Sequence, residues 1–141
     1  MKALQLLFLC LGVLTFAACG NDDDEAASCM ASDFTGTYAG TLTCDEDEPD
    51  DVPTVVTVNI TEGTADNTIR IGFVEIFDGG TTEVDLDVDI PVSGCTATFN
   101  GTEDGITFTY SVRLDGDRVT VEETVSVAGG ESGTCTYTAE R

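Results

Sequence analysis

Two glutamates stand where strand alternation otherwise puts aliphatic side chains. Glu123 shares parity with Val119, Val121, Val125 and Val127, and Glu75 with Ile71 and Phe73. In a regular strand, residues two apart lie on one face, so both carboxylates are aimed at the side that packs. A carboxylate there requires water, an arginine or a bound cationic group. The competing reading is a bulge that turns each one outward. Arg70 and Arg113 are the arginines within reach, although parity aims Arg113 outward. Tyr38, Phe108 and Tyr110, with Phe73 and Phe99, add aromatic surface on the apolar faces of their strands. The candidate ligand-binding set is therefore Glu123, Glu75, Tyr38, Phe108 and Tyr110.

Catalytic chemistry has little to work with. The chain has no histidine, so the usual general base near neutral pH is missing. Its one lysine is Lys2, and neither a Gly-x-Ser-x-Gly nor a phosphate-loop pattern is present. No enzyme, catalytic residue, cofactor or metal site is expected. The densest acidic run, Asp45-Glu46-Asp47-Glu48-Pro49-Asp50-Asp51, offers hard oxygen ligands for calcium, but its spacing is not that of an EF-hand loop. A solvated loop is the simpler reading. The net charge is −22, with 27 acidic residues. Such a surface repels phosphate backbones, which excludes nucleic-acid binding, and it repels anionic headgroups as well. Cationic partners or divalent ions are favoured.

The cysteines sort by position. Lys2 precedes an apolar run from Ala3 to Ala18, which ends in Phe16-Ala17-Ala18-Cys19 and is followed by Gly20-Asn21-Asp22-Asp23-Asp24-Glu25. A charged start, a short apolar stretch and small residues at its end make a secretory signal peptide. The run of about 16 residues is shorter than the roughly 20 that span a bilayer. The junction resembles a bacterial lipoprotein signal, with Phe16 in the place of the usual aliphatic residue. The resemblance implies cleavage before Cys19 and lipidation of its thiol. The acidic run after Cys19 resembles the export tag of surface lipoproteins in Bacteroidota. The expected organisation is a signal peptide over 1–18, a lipidated acidic tether over 19–32 and one β-domain over 33–141. The expected location is the cell envelope, at the outer membrane and exposed at the cell surface, held to the membrane through the lipid anchor. Cys29, Cys44, Cys95 and Cys135 remain, an even number in an exported chain, which reads as two disulfides. Zinc is the competitor, but the short paired spacings and any histidine are missing.

The elements that would position these residues are strands. From Asp33 onward apolar and polar residues alternate, interrupted by Gly, Asp, Asn and Pro clusters. Eight strands are predicted over 34–44, 53–61, 67–77, 82–90, 94–100, 105–114, 117–127 and 132–140. The fourth is the cleanest: Val84, Leu86, Val88 and Ile90 alternate with Glu83, Asp85, Asp87 and Asp89. In the third, Val74 and Ile76 fall on the opposite parity from Ile71 and Phe73, which predicts a bulge or burial on both faces. Short turns link most strands, so the fold class is an all-β, eight-stranded antiparallel up-and-down meander that closes into a barrel. A β-sandwich is the alternative. In a closed meander Cys44 and Cys135 lie at one end on neighbouring strands, and Cys29 and Cys95 lie at the other. The predicted pairs are therefore Cys44–Cys135 and Cys29–Cys95.

Gly36-Thr37-Tyr38 at the start of the first strand of such a meander resembles the lipocalins, which carry Gly-x-Trp there. That resemblance implies a small ligand-binding barrel and an arginine set over the aromatic ring, a place that Arg141 would fill. Two functions follow from the sequence. One is a lipid-anchored barrel that binds a small-molecule ligand in its interior. The other is a surface-exposed structural or protein-interaction lipoprotein with a filled barrel. The volume inside the barrel discriminates between them.

Overall fold

The computed structural model describes residues 28–45, 52–77 and 79–141. A short helix α1 (Ala31–Phe34) leads into β1 (Gly36–Cys44), β2 (Thr54–Glu62), β3 (Thr68–Phe77), β4 (Gly80–Ser93), β5 (Thr96–Glu103), β6 (Ile106–Asp115), β7 (Arg118–Val127) and β8 (Ser132–Glu140). Each strand pairs antiparallel with the next, and β8 returns to β1, so the sheet closes into an eight-stranded barrel. This is the expected up-and-down barrel, and it rules out the sandwich. The predicted signal peptide, Cys19 and most of the acidic run (46–51) lie outside the described residues.

The closing seam depends on a glycine. At Gly40 a Cβ would sit 2.0 Å from the Thr138 carbonyl oxygen and 2.5 Å from the Ala139 Cα. Only glycine lets β1 approach β8 that closely. Beyond it the seam is locked covalently, because Cys44 and Cys135 are cross-strand partners and form a disulfide. Cys29–Cys95 is the second bridge. Both pairs are those that strand direction predicts. With sequence separations of 66 and 91 between the bridged cysteines, each contributes about 4 kcal/mol in the chain-entropy model.

The two ends of the barrel differ. At the end where β1 begins, the interior is filled by Tyr38, Ile69, Ile90, Val112 and Val119, all fully buried or nearly so. Helix α1 plugs this end with Ala31 and Phe34, which are three residues apart on one helix face and both buried. The plug corrects the sequence reading: Phe34 ends a helix instead of opening the first strand, and Cys29 to Ser32, expected in the tether, are docked on the barrel. A capping interaction explains the turn, with Asp33 Oδ2 accepting from the Met30 amide at 2.8 Å. Asn67 ties three pieces together. Its Oδ1 accepts from the Ala31 amide, its Nδ2 donates to the Val92 carbonyl, and its own carbonyl accepts from the Val92 amide. It does so with φ +51°, a left-handed conformation that asparagine tolerates better than most residues.

Two further expectations change. The irregular register of β3 lies between Ile69 and Ile71 and opposes residues 86–90 of β4. It does not lie at Val74 and Ile76, which are on the outer wall. Arg70 spans the irregularity, with its Nε donating to Asp89 and its Nη1 to Asp87, each at 2.7 Å. Of the apolar face expected on the fourth strand, only Ile90 is fully buried, and Val84 is 39 % exposed. The reason is a missing neighbour. The ladder between β4 and β5 consists of Val92↔Ala97 and Ser93↔Thr96, whereas every other interface in the barrel carries six or more residue pairs.

Candidate functional site

The end of the barrel opposite α1 is formed by the end of β1, the start of β2, the end of β3, the start of β6, the end of β7 and the start of β8. Alternation carries polar groups into its interior at two points. Glu75 lies two residues beyond Phe73 on β3, and Glu123 two beyond Val121 on β7; Phe73 and Val121 are buried, and both glutamates are half-buried. No bulge rotates either one out, so the inward reading of both carboxylates is the one that the structure adopts.

Tyrosines hold them. The Tyr110 hydroxyl, from β6, donates to Glu123 Oε1 at 2.6 Å. The Tyr137 hydroxyl, from β8, lies 3.0 Å from Glu75 Oε1 and 3.1 Å from Glu123 Oε2. The registers Tyr110↔Glu123 and Val121↔Tyr137 bring these side chains onto one patch of the inner wall. Phe73 backs the patch, with its ring centroid 4.5 Å from that of Tyr137 and 6.4 Å from that of Tyr110. Burial, reinforced by the neighbouring glutamates, pushes both hydroxyls well above the usual tyrosine range. Both therefore stay protonated and act as donors.

The hydrogen-bond inventory is one donor short. A tyrosine hydroxyl has a single proton, yet Tyr137 faces two carboxylates. Two hydroxyl protons serve three carboxylate contacts. No cation makes up the shortfall: Arg70 binds Asp87 and Asp89, Arg118 binds Glu140, and Arg141 binds Asp117, all on the outer surface. Arg113 is exposed. The arginine partnership considered for Glu123 is thus absent, and these four are the only basic side chains after Lys2.

Beside Glu123, a cleft of about 280 Å³ opens between Cys44, Glu123, Val125 and Cys135. Phe108 and Phe99 stand half-buried on the same inner wall nearer β5. Phe99 folds over Gly101, where a Cβ would lie 2.9 Å from its ring. A larger cleft of about 440 Å³ runs along the outer wall between Asn59, Arg70 and Asp85. Its one cation is already neutralised by Asp87 and Asp89 and its lining is the more polar of the two, so the inner cleft is the better candidate.

Tyr38 is the predicted site residue placed elsewhere. It is fully buried at the closed end and donates to the Phe34 carbonyl at 2.8 Å. The Arg141 guanidinium lies 5.4 Å from its ring centroid, while Nη1 donates to the Thr35 carbonyl at 3.1 Å. This is the aromatic–arginine pairing that Gly36-Thr37-Tyr38 pointed to, and it closes the barrel without touching the mouth. Tyr137 is the site residue that the sequence reading omitted. Its signal was available, because it shares parity with Cys135 and Ala139 on an inward face. Among the described residues no group of three or more metal-ligating side chains is found.

Comparison with protein-family models, with curated proteins and with solved structures finds no match.

Proposed function

We propose that this chain is a lipid-anchored binding module of the cell envelope whose barrel mouth takes up a small organic cation, an amine or a guanidinium. One observation carries the reading. Glu75 and Glu123 share an aromatic-walled interior with two tyrosine donors, one donor too few and no cation. An ammonium or guanidinium N–H would supply the missing donor and balance the two negative charges, and the Phe73 and Tyr137 rings would add cation–π attraction. The ligand-binding residues in this reading are Glu75, Glu123, Tyr110, Tyr137 and Phe108, without Tyr38. Binding is favoured over catalysis because the chain lacks histidine.

The anchoring reading fits this polarity. Lipidation at Cys19 would attach the chain ten residues before Cys29, and Cys29 is bonded to Cys95 at the closed end. A tether of that length reaches about 35 Å at most. It would hold the closed end toward the membrane, at the outer surface of the cell, and leave the mouth facing away. The packed closed half favours the second reading, a structural or protein-interaction lipoprotein with a filled barrel.

One experiment separates them. Butylammonium, agmatine, neutral butanol and calcium chloride are titrated calorimetrically into wild type and into the Glu75→Gln/Glu123→Gln variant. The expected result is binding of the two organic cations to wild type only, with butanol at least about tenfold weaker, equivalent to about 1.4 kcal/mol. Equal binding of amine and alcohol, or none to a folded wild type, sinks the cation site and leaves the filled barrel. A response to calcium alone moves the function to the acidic surface.

A further inference from the structure

The barrel has one interface that is nearly unzipped. Between β4 and β5 the ladder stops after the two residue pairs beside the turn at Gly94 and Cys95. Past that point the β4 edge from Gly80 to Pro91 and the β5 edge from Thr98 to Glu103 have no ladder partner among the described residues. On its other side β5 pairs along its whole length with β6, and β4 pairs with β3 except at residues 87–89, where the register shifts. Two antiparallel edges therefore face one seam, and unpaired strand edges are templates for pairing with another chain.

The side chains along the seam specify what would fit. On the inner face β4 offers Val84, Leu86 and Val88, none of them fully buried. On the outer face it offers Glu83, Asp85 and Asp87, all exposed. Only Asp87 has a cationic partner, Arg70. The outer face of β5 is neutral, with Thr98, Asn100 and Thr102. A strand entering the seam would lay apolar residues inward against the valines and leucine. Its outward residues would lie beside carboxylates on one side and hydroxyls and an amide on the other. Opposite charges on neighbouring strands stabilise pairing and like charges oppose it. A second copy of this chain is a poor occupant, because its own β4 edge would set carboxylate against carboxylate. The stretches at 20–25 and 46–51 are ruled out for the same reason, being acidic. The irregular register of β4 and Pro91 further deter self-pairing, and neither blocks a basic strand over 80–86.

We infer that the β4–β5 seam takes up an extended segment of a partner polypeptide, alternating apolar and basic residues, as an added strand. Backbone hydrogen bonds supply the affinity, and the Glu83 and Asp85 carboxylates select the charge. This seam is distinct from the amine site in the mouth and does not depend on it.

The test uses a fluorescent synthetic peptide that alternates valine and lysine, with a valine–glutamate peptide and an N-methylated valine–lysine peptide as controls. Wild type should bind the first in preference to either control. Amide hydrogen exchange should slow in β4 and β5 on binding. Glu83→Lys/Asp85→Lys should weaken the valine–lysine peptide by about tenfold and raise affinity for the valine–glutamate peptide. Both substitutions are on the exposed outer face, and the gain for the acidic peptide shows that the variant is folded. Glu75→Gln/Glu123→Gln should leave peptide affinity unchanged. Equal binding of the N-methylated peptide, exchange protection elsewhere or no binding to wild type overturns the proposal. A wild-type dimer that Glu83→Lys dissolves would also overturn it, by making a second copy the occupant.

Discussion

The closed and open ends of this barrel are built from the same eight strands with the same alternation, yet their interiors do opposite work. At the closed end every inward position is apolar and the space is filled, with Phe34, Tyr38, Ile69, Ile90 and Val119 fully buried. At the open end two inward positions are glutamates, a cleft remains, and Phe99 and Phe108 are half-exposed while Phe73, Tyr110 and Tyr137 stay buried behind the glutamates. The closed end contributes the stability, because buried aliphatic and aromatic side chains are worth about 1.5–3 kcal/mol each. The open end can therefore carry a hydrogen-bonding arrangement that is incomplete by itself. Division of labour along the barrel axis is the lesson, and it predicts that substitutions at the two ends have effects of different size and even of different sign.

The largest effect is expected at the plug. Phe34→Ala removes a fully buried ring that nothing else can replace, and should cost about 4 kcal/mol in a denaturant titration. If the plug is decoration, the cost will be under about 1 kcal/mol, as for an ordinary surface substitution. Amine binding at the mouth should persist wherever the variant is folded, which is the sharper half of the comparison.

The tyrosines bridge the two ends and give a pH readout. All three tyrosines of the chain, Tyr38, Tyr110 and Tyr137, are held above the usual range, in each case mainly by burial. The native state thus retains protons that the unfolded chain releases near pH ~10. Stability from these groups is complete below that pH and is lost as pH rises above it. Tyrosinate absorbance should appear in a single step that coincides with alkaline unfolding. A tyrosine that ionises near pH ~10 in the native protein would show that one end is wetter than described.

Asn67→Ala should cost about 2 kcal/mol, since it removes two side-chain hydrogen bonds and strains a left-handed position. Thermal melts of the disulfide-intact protein measure it. A cost near zero would mean that Cys29–Cys95 alone holds the plug.

What the sequence made legible follows the same division. Alternation and turn residues are local, so the eight strands, the closed meander and both disulfide pairs could be read from them. Parity also aimed Glu75 and Glu123 inward, but it could not decide against a bulge that would turn each one outward. The helix at Ala31–Phe34 was harder to see, because four residues carry no periodicity and its stability comes from Asn67 and the barrel floor. The open β4–β5 seam was invisible for a related reason. The alternation of Val84, Leu86 and Val88 reports which face is apolar, and it says nothing about whether a neighbouring strand arrives to cover that face. Tyr137 was passed over because its meeting with Glu75, 62 residues away on β3, is a property of barrel closure, although its contact with Glu123 follows from the β7–β8 hairpin.

The smallest effect, and the most diagnostic, is expected from Glu123→Gln. Glutamine has the same length, so its carbonyl can still accept the Tyr110 proton that Glu123 Oε1 accepts now. Its amide adds the donor that the group lacks, directed at Glu75 or at the Tyr137 oxygen. One of two like charges sharing a hydroxyl is also removed. Against these gains, the bond from Tyr110 loses its ionic character, and charge-assisted hydrogen bonds are the stronger kind. The gains and the loss are each about 1 kcal/mol, so the net change should be within about 1 kcal/mol and on the stabilising side. Glu123→Ala is the control: it leaves the Tyr110 hydroxyl without its acceptor and should cost about 1–3 kcal/mol. A glutamine variant that is neutral or better in folding but silent toward amines would show that the carboxylate is kept for a ligand. A loss above about 2 kcal/mol would place Glu123 among the structural residues and make the mouth an extension of the closed end.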